Sequence, residues 1–266
     1  MEKVTFDTEL GLQNVRLEKE GGRAILTLNR PDNLNALNYQ TLCELGEALE
    51  AIRYDRSIRA VLLRGEGKGF CVGADLKERK TLTDDQVRRN VHKIRTVCDQ
   101  LEALPQPTIA VLHGYAFGGG FELALACDFR YAHPETKMGL TEVSLGIIPG
   151  AGGTIRLPKL IGKAKAKELI MMAKRIEARE AEQLGLLNGT AENVWELALE
   201  AARRLEEMAP LAVIQAKHAI DHGFDVDTQT GMAIENKAYE VLIPTEDRVE
   251  ALEAFSEKRK PQFKGR

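Results

Sequence analysis

The sequence predicts an α/β fold whose last third is helical. Short runs of branched and aliphatic residues alternate with helix-period runs through the first half, and the strand signal fades from about residue 163. Aromatic residues make up only 5% of the chain, so the layers must close mainly on Leu, Ile, Val and Ala.

Taken in order, Arg23–Leu28 (RAILTL), residues 59–64 (RAVLLR) and Thr108–Leu112 (TIAVL) read as strands, each bounded by Gly, Pro or charge. Between the first two, Leu42, Leu45, Leu49 and Ile52 recur at helical spacing, with Glu44, Glu47 and Glu50 on other faces. Val87, Val91, Ile94, Val97, Leu101 and Leu104 repeat the pattern until Pro105 and Pro107 stop it. This alternation predicts a sheet with substantially parallel pairing. Beyond it, residues 163–173, 193–208, 211–222, 230–242 and 248–258 read as amphipathic helices punctuated by Pro210, Gly223 and Pro244. No flexible linker or tandem repeat interrupts the chain.

Composition excludes several functions. At 266 residues the chain suits one large domain or a domain with a helical appendage, and a net charge of -3 offers no general attraction to nucleic acid or acidic membranes. Its apolar runs are too short to span a bilayer. The first ten residues carry Glu2, Asp7 and Glu9 and resemble neither a signal nor a transit peptide, so a cytoplasmic protein is expected. Cys43, Cys71, Cys98 and Cys127 lie far apart and form no C-x-x-C pair, as expected of free thiols in a reducing compartment. The five histidines show no metal-binding spacing; His218 and His222 share a helix face but lack an acidic third ligand. No G-x-S-x-G elbow is present. Neither a metal nor a serine or cysteine nucleophile is expected.

The chemistry-bearing segments are three glycine-rich turns and two carboxylates. Gly118, Gly119 and Gly120 follow a strand and precede the helix-forming run 121–127, where bare N–H groups at a helix start can hold an oxyanion. A second turn covers residues 69–77, with Lys77 able to meet a phosphate; a third covers 146–154. None matches a Walker loop or the G-x-G-x-x-G fingerprint. Glu122 sits in the first turn after the triple glycine, and Glu142 lies among Met138, Leu140 and Val143. Such carboxylates either cap a helix or join a salt bridge, or else divide acid and base work across one cavity.

These segments resemble the crotonase (enoyl-CoA hydratase/isomerase) family. Asn29-Arg30-Pro31 with Asn35-Ala36-Leu37, then Gly73-Ala74-Asp75-Leu76-Lys77, then Gly114 to Glu122, then Gly146 to Thr154 stand in crotonase order over nearly the whole chain. The closest wording is that of bacterial enoyl-CoA hydratases and methylglutaconyl-CoA hydratases. The resemblance implies a spiral of ββα units in residues 1–200 holding the site, and a helical trimerisation region in 201–266, usually as a trimer or dimer of trimers. It implies that the Ala74 and Gly119 N–H groups form the oxyanion hole. Glu122 would activate a water as base, Glu142 would deliver a proton to Cα, and the Gly150 N–H would lie nearby. Val72, Asp75, Leu76 and Lys77, with Ala36, would line the coenzyme A path. Phe255 and Lys258 would close the pocket, from within the chain or from a neighbouring subunit.

The implied activity is that of a hydro-lyase: reversible syn hydration of a 2-trans-enoyl-CoA to 3-hydroxyacyl-CoA, in fatty-acid or branched amino-acid breakdown. Coenzyme A enters as part of the substrate, and no cofactor is expected. The alternatives are methylglutaconyl-CoA hydration, double-bond isomerisation, and a non-catalytic acyl-CoA- or RNA-binding role. Two carboxylates favour hydration, because related isomerases typically need one. Asp32 departs from the lysine many relatives use for a coenzyme A phosphate. The acidic helix with Glu44, Glu47 and Glu50 lacks the lysines of RNA-binding relatives and would repel phosphates, so no nucleic-acid partner is expected.

Overall fold

A computed structural model describes residues 3–5 and 10–266. Its main sheet has seven strands: β1 (Lys3–Thr5), β2 (Val15–Glu20), β3 (Arg23–Leu28), β4 (Ala60–Gly65), β5 (Thr108–Leu112), β7 (Phe129–Ala132) and β10 (Gly189–Thr190), adjacent in that order. The β1, β2 and β3 pairings are antiparallel; from β3 to β10 every pairing is parallel. A second sheet of three short strands, β6 (Tyr115–Phe117), β8 (Lys137–Gly139) and β9 (Ile176–Glu177), lies beside it.

The unbroken apolar runs seen in the sequence follow from burial of the parallel strands on both faces. Ala24, Leu26, Leu28, Val61, Leu63, Ala110 and Leu112 point into the larger core, shared with helices α1 (Tyr39–Tyr54), α3 (Asp84–Glu102) and α4 (Gly119–Ala126). Their alternates Ile25, Ala60, Leu62, Ile109 and Val111 form a second core against Val194, Ala198, Leu199 and Ala202 of helix α8 (Val194–Glu206). Each fully buried Leu or Ile contributes about 1.5–3 kcal/mol.

Two local expectations change. Glu44 does not face solvent: it is buried in α1, and its Oε2 accepts from the N–H groups of Gln13, Asn14 and Val15 at 3.0, 2.7 and 3.0 Å, fixing the chain's entry into β2. Only Glu47 and Glu50 remain as the exposed acidic face. Strand structure also persists past residue 163, as the two-residue β9 and β10, too short to leave a periodic signal.

Between β4 and α3 lies the one-turn helix α2 (Leu76–Arg79). Helices α5 (Gly153–Ile161) and α6 (Lys163–Met171) lie between β8 and β9 of the second sheet, and α7 (Ala178–Gln183) follows β9. Helix α8 runs unbroken through residues 200 and 201, and its last turn is tied to β3 by Arg23, which donates to both Glu206 oxygens at 2.7 and 2.8 Å. Beyond it, α9 (Pro210–Gly223) packs on α10 (Thr228–Leu242), and α11 (Glu246–Glu257) follows. The chain end folds back on α11, with the Lys264 and Gly265 N–H groups donating to Asp247 at 2.7 and 2.8 Å. Among the described residues, no helix is long and apolar enough to cross a membrane.

Candidate active site

Two of the glycine turns interlock. The Cys71 N–H donates to the Tyr115 carbonyl and the Phe117 N–H to the Cys71 carbonyl, both at 2.9 Å, so residues 71–74 run alongside 115–119. Close approach is possible only because Cβ atoms are missing. One on Gly73 (φ +90°) would lie 2.8 Å from the Phe117 carbonyl oxygen and 3.2 Å from the Gly119 nitrogen, and one on Gly120 would lie 2.5 Å from the Cys71 carbonyl oxygen. Asn35 braces the 69–74 turn from below. Held at φ +57°, a conformation Asn tolerates, it is buried and donates to the Glu66 and Gly69 carbonyls at 2.9 and 2.8 Å. Among the described residues, neither the Ala74 N–H nor the Gly119 N–H donates a hydrogen bond. The second of these opens α4, where the helix dipole favours negative charge.

Glu122 projects from the first turn of α4 and is 2% exposed. Its Oε1 accepts from the Ala151 and Gly153 N–H groups, both at 2.8 Å, so the third glycine turn grips it. Burial pushes its carboxyl above the ordinary range, and those N–H groups and the Arg156 charge partly offset the push. Glu142 begins a 3₁₀ turn ending at Leu145. A Cβ on Gly118 would come within 3.2 Å of its Oε1, while its Oε2 is buried with no hydrogen-bond partner among the described residues. Burial, with the Glu122 charge as a further cause, raises this carboxyl to about 7. The two acids therefore share a cleft but differ in support: one is gripped by two amide donors of the third glycine turn, the other is met only by its own backbone N–H and keeps one oxygen without a partner among the described residues.

Both carboxylates line one cavity of about 790 Å³, together with Ala74, Gly119, Gly150, Val72 and Leu76. The other expected site residues stand elsewhere. Asp75 caps α2, accepting from the Lys77 N–H at 3.0 Å, and pairs with Arg30 at 3.0 Å. Ala36 is buried and its carbonyl accepts from Arg30. Lys77 is exposed on α2. Phe255, 87% exposed, and Lys258, the left-handed cap of α11, do not line this cavity within a single chain.

Sequence reading missed three arginines on the cavity wall: Arg79, Arg95 and Arg175. The Arg95 Nε donates to the Gly150 carbonyl at 3.2 Å, and the Arg175 guanidinium lies 5.1 Å from the centre of the Phe117 ring. Arg95 follows Ile94 of the apolar stripe of α3 and is itself exposed, so the helical period does not mark it. Arg175 lies between helix and strand and left no periodic trace.

A largely parallel sheet thus carries a cleft with two inward carboxylates and two free amide donors, an arrangement suited to moving protons beside a stabilised oxyanion. The family model described as enoyl-CoA hydratase/isomerase matches residues 18–266, and the chain belongs to that family. The crystal structure of an enoyl-CoA hydratase from Bacillus anthracis is 46% identical, with a TM-score of 0.94 covering 96% of this chain and 100% of that one, and it has the crotonase fold expected above. The mitochondrial methylglutaconyl-CoA hydratase of Homo sapiens is 44% identical over 97% of this chain and 78% of its own length. The mitochondrial enoyl-CoA hydratase domain-containing protein 2 of Mus musculus is 45% identical over 98% and 90%.

Proposed function

We propose that this protein is an enoyl-CoA hydratase, adding water reversibly and syn across a 2-trans-enoyl-CoA to give 3-hydroxyacyl-CoA. The observation that carries the reading is the facing of two differently supported carboxylates in a cavity that also holds two unengaged amide donors. Glu122, gripped through one oxygen, removes a proton from water as the water oxygen bonds to Cβ. The π electrons move onto the thioester oxygen, where the Ala74 and Gly119 N–H groups hold the negative charge; losing one such donor costs about 2.7–4 kcal/mol in comparable holes. Glu142, whose carboxyl holds a proton up to about pH 7, delivers it to Cα as the thioester carbonyl reforms. Val72 and Leu76 flank the coenzyme A end of the cavity. Homotrimers or dimers of trimers in the cytoplasm complete the proposal.

A second reading, hydration of an enoyl-CoA bearing a carboxylate as in methylglutaconyl-CoA, draws support from Arg79, Arg95 and Arg175. All three line the cavity, and among the described residues none is within salt-bridge distance of a carboxylate. One assay separates the readings: loss of conjugated-thioester absorbance with crotonyl-, longer-chain and methylglutaconyl-CoA. Hydratase action predicts that Glu122→Gln and Glu142→Gln each lower kcat about 10²–10⁴-fold. Full activity in Glu142→Gln with none in Glu122→Gln would instead favour single-carboxylate isomerisation. A methylglutaconyl-CoA kcat/KM above that of crotonyl-CoA would favour the second reading.

A further inference from the structure

Arg156 lies outside the proposed chemistry, yet it is 9% exposed and spans two parts of the fold. From α5 its guanidinium reaches α3, where Nε and one terminal nitrogen donate to the two Glu102 oxygens at 3.0 and 2.6 Å, and that same nitrogen meets Asp99 at 2.9 Å. The other terminal nitrogen donates to the Ala151 carbonyl at 2.7 Å. Ala151 is the residue whose own N–H holds Glu122. The Gly152 backbone leaves no slack: a Cβ there would lie 2.1 Å from that guanidinium nitrogen.

We infer that Arg156 is a positioning residue for Glu122, clamping the turn 151–153 to α3 so that its N–H groups keep the carboxylate in place. The inference rests on the hydratase reading of Glu122. A guanidinium is suited to the task because its planar fork serves a bidentate carboxylate and a carbonyl at once, which an ammonium cannot do. Its charge also works in the same direction as the turn, lowering a carboxyl that burial raises. The charged or titratable groups around the pair stand on three sides, with the Cys127 thiol among those of the adjoining cavity. Cys98, Asp99 and Glu102 face it from α3, and Glu142 faces Glu122 across the cleft. Lys159, Asp128, Arg130, Lys217 and Asp221 stand around the adjoining cavity that Arg156 also borders.

The test compares Arg156→Gln and Arg156→Lys in the full-length protein with two readouts: steady-state kinetics, and ¹³C NMR titration of the Glu122 carboxyl, assigned by its loss in Glu122→Gln. Arg156→Gln should move the Glu122 titration up by about one pH unit and lower kcat about 10- to 100-fold, with KM little changed. Arg156→Lys should leave the titration near that of the wild type, yet still lower kcat about fivefold or more, because the fork is lost. A Glu122 titration unmoved in Arg156→Gln overturns the inference. So does wild-type kcat in Arg156→Lys, a result that decides even if Arg156→Gln does not fold. A purely structural residue would lower the melting temperature in both variants without moving the titration. The NMR readout needs no turnover, so failure of the positioning role is separable from failure of the hydratase reading, which would appear as an inactive wild type.

Discussion

At the scale of single residues, the two carboxylates set the pH behaviour. Glu122 must be ionised to take a proton from water, and Glu142 must be protonated to give one to Cα. Both are raised above the ordinary range, Glu142 to about 7. Activity should therefore fall on the acid side as Glu122 protonates and on the alkaline side as Glu142 loses its proton past about 7, giving a bell-shaped kcat profile whose limbs belong to the coupled pair. Stability carries the same sign information. A carboxyl raised in the folded state contributes fully below its unfolded value near 4.5, and that contribution disappears as the pH climbs through about 7. Glu142→Gln, which is neutral throughout, should then unfold later than the wild type at pH 8, by about 1–2 kcal/mol for this partly exposed group, and by nearly nothing at pH 4.5. A profile flat from pH 5 to 9, or equal denaturation midpoints at pH 8, would contradict this assignment. Glu122 and Glu142 could be singled out from sequence because each interrupts an apolar run. Arg156 could not, since its carboxylate partners lie more than fifty positions away and nothing local marks it.

Among elements, the interlocked turns 71–74 and 115–119 matter most, because their spacing fixes the distance between the two amide donors. Gly73 takes φ +90° and has the Phe117 carbonyl where a Cβ would go, 2.8 Å away. Gly73→Ala should cost about 2–3 kcal/mol through left-handed strain and overlap, and should lower kcat about tenfold or more by moving the Ala74 N–H. Gly185→Ala is the control: φ is +78° but nothing lies within 4 Å of a Cβ, so it should cost about 1–2 kcal/mol and leave kcat near that of the wild type. Chemical denaturation and steady-state rates would check both, and equal kcat losses in the two variants would remove the special status of the interlocked turn. The strands and helices of this region differ in how well the sequence announces them. Thr108–Leu112 is an unbroken run of branched and aliphatic residues, and α3 has a strong helical pattern. The sheet of β6, β8 and β9 is built from strands of three, three and two residues paired across intervening helices, and so leaves no pattern to read.

At the scale of the molecule, the C-terminal helices are arranged unlike the rest. Helices α1, α3, α4 and α8 bury an apolar stripe in the cores, whereas α9 with its cap Phe224, α10 and α11 expose Ile220, Phe224, Met232, Tyr239, Leu252 and Phe255. Their helical period could be read from sequence, but which face meets what could not, because the same stripe fits a core or another chain equally well. Several large side chains left open along one region are the usual mark of an interface. Covering each contributes about 1.5–3 kcal/mol, which supports self-association, proposed above as a trimer or dimer of trimers. Sedimentation of the wild type should report three or six copies of the 29.5-kDa chain. Leu252→Asp with Phe255→Asp, on a helix whose fold is held by Asp247 and Glu250 contacts to the chain end, should shift that distribution toward the single chain and leave the far-ultraviolet helix signal unchanged. If Phe255 also closes a neighbour's cavity, the same pair should raise KM for the coenzyme A substrate while kcat falls less, since the carboxylates and amide donors all come from one chain. A wild type that sediments as one chain at micromolar concentration would defeat the assembly. An assembled wild type whose KM is untouched by both substitutions would keep the assembly and remove Phe255 from the site.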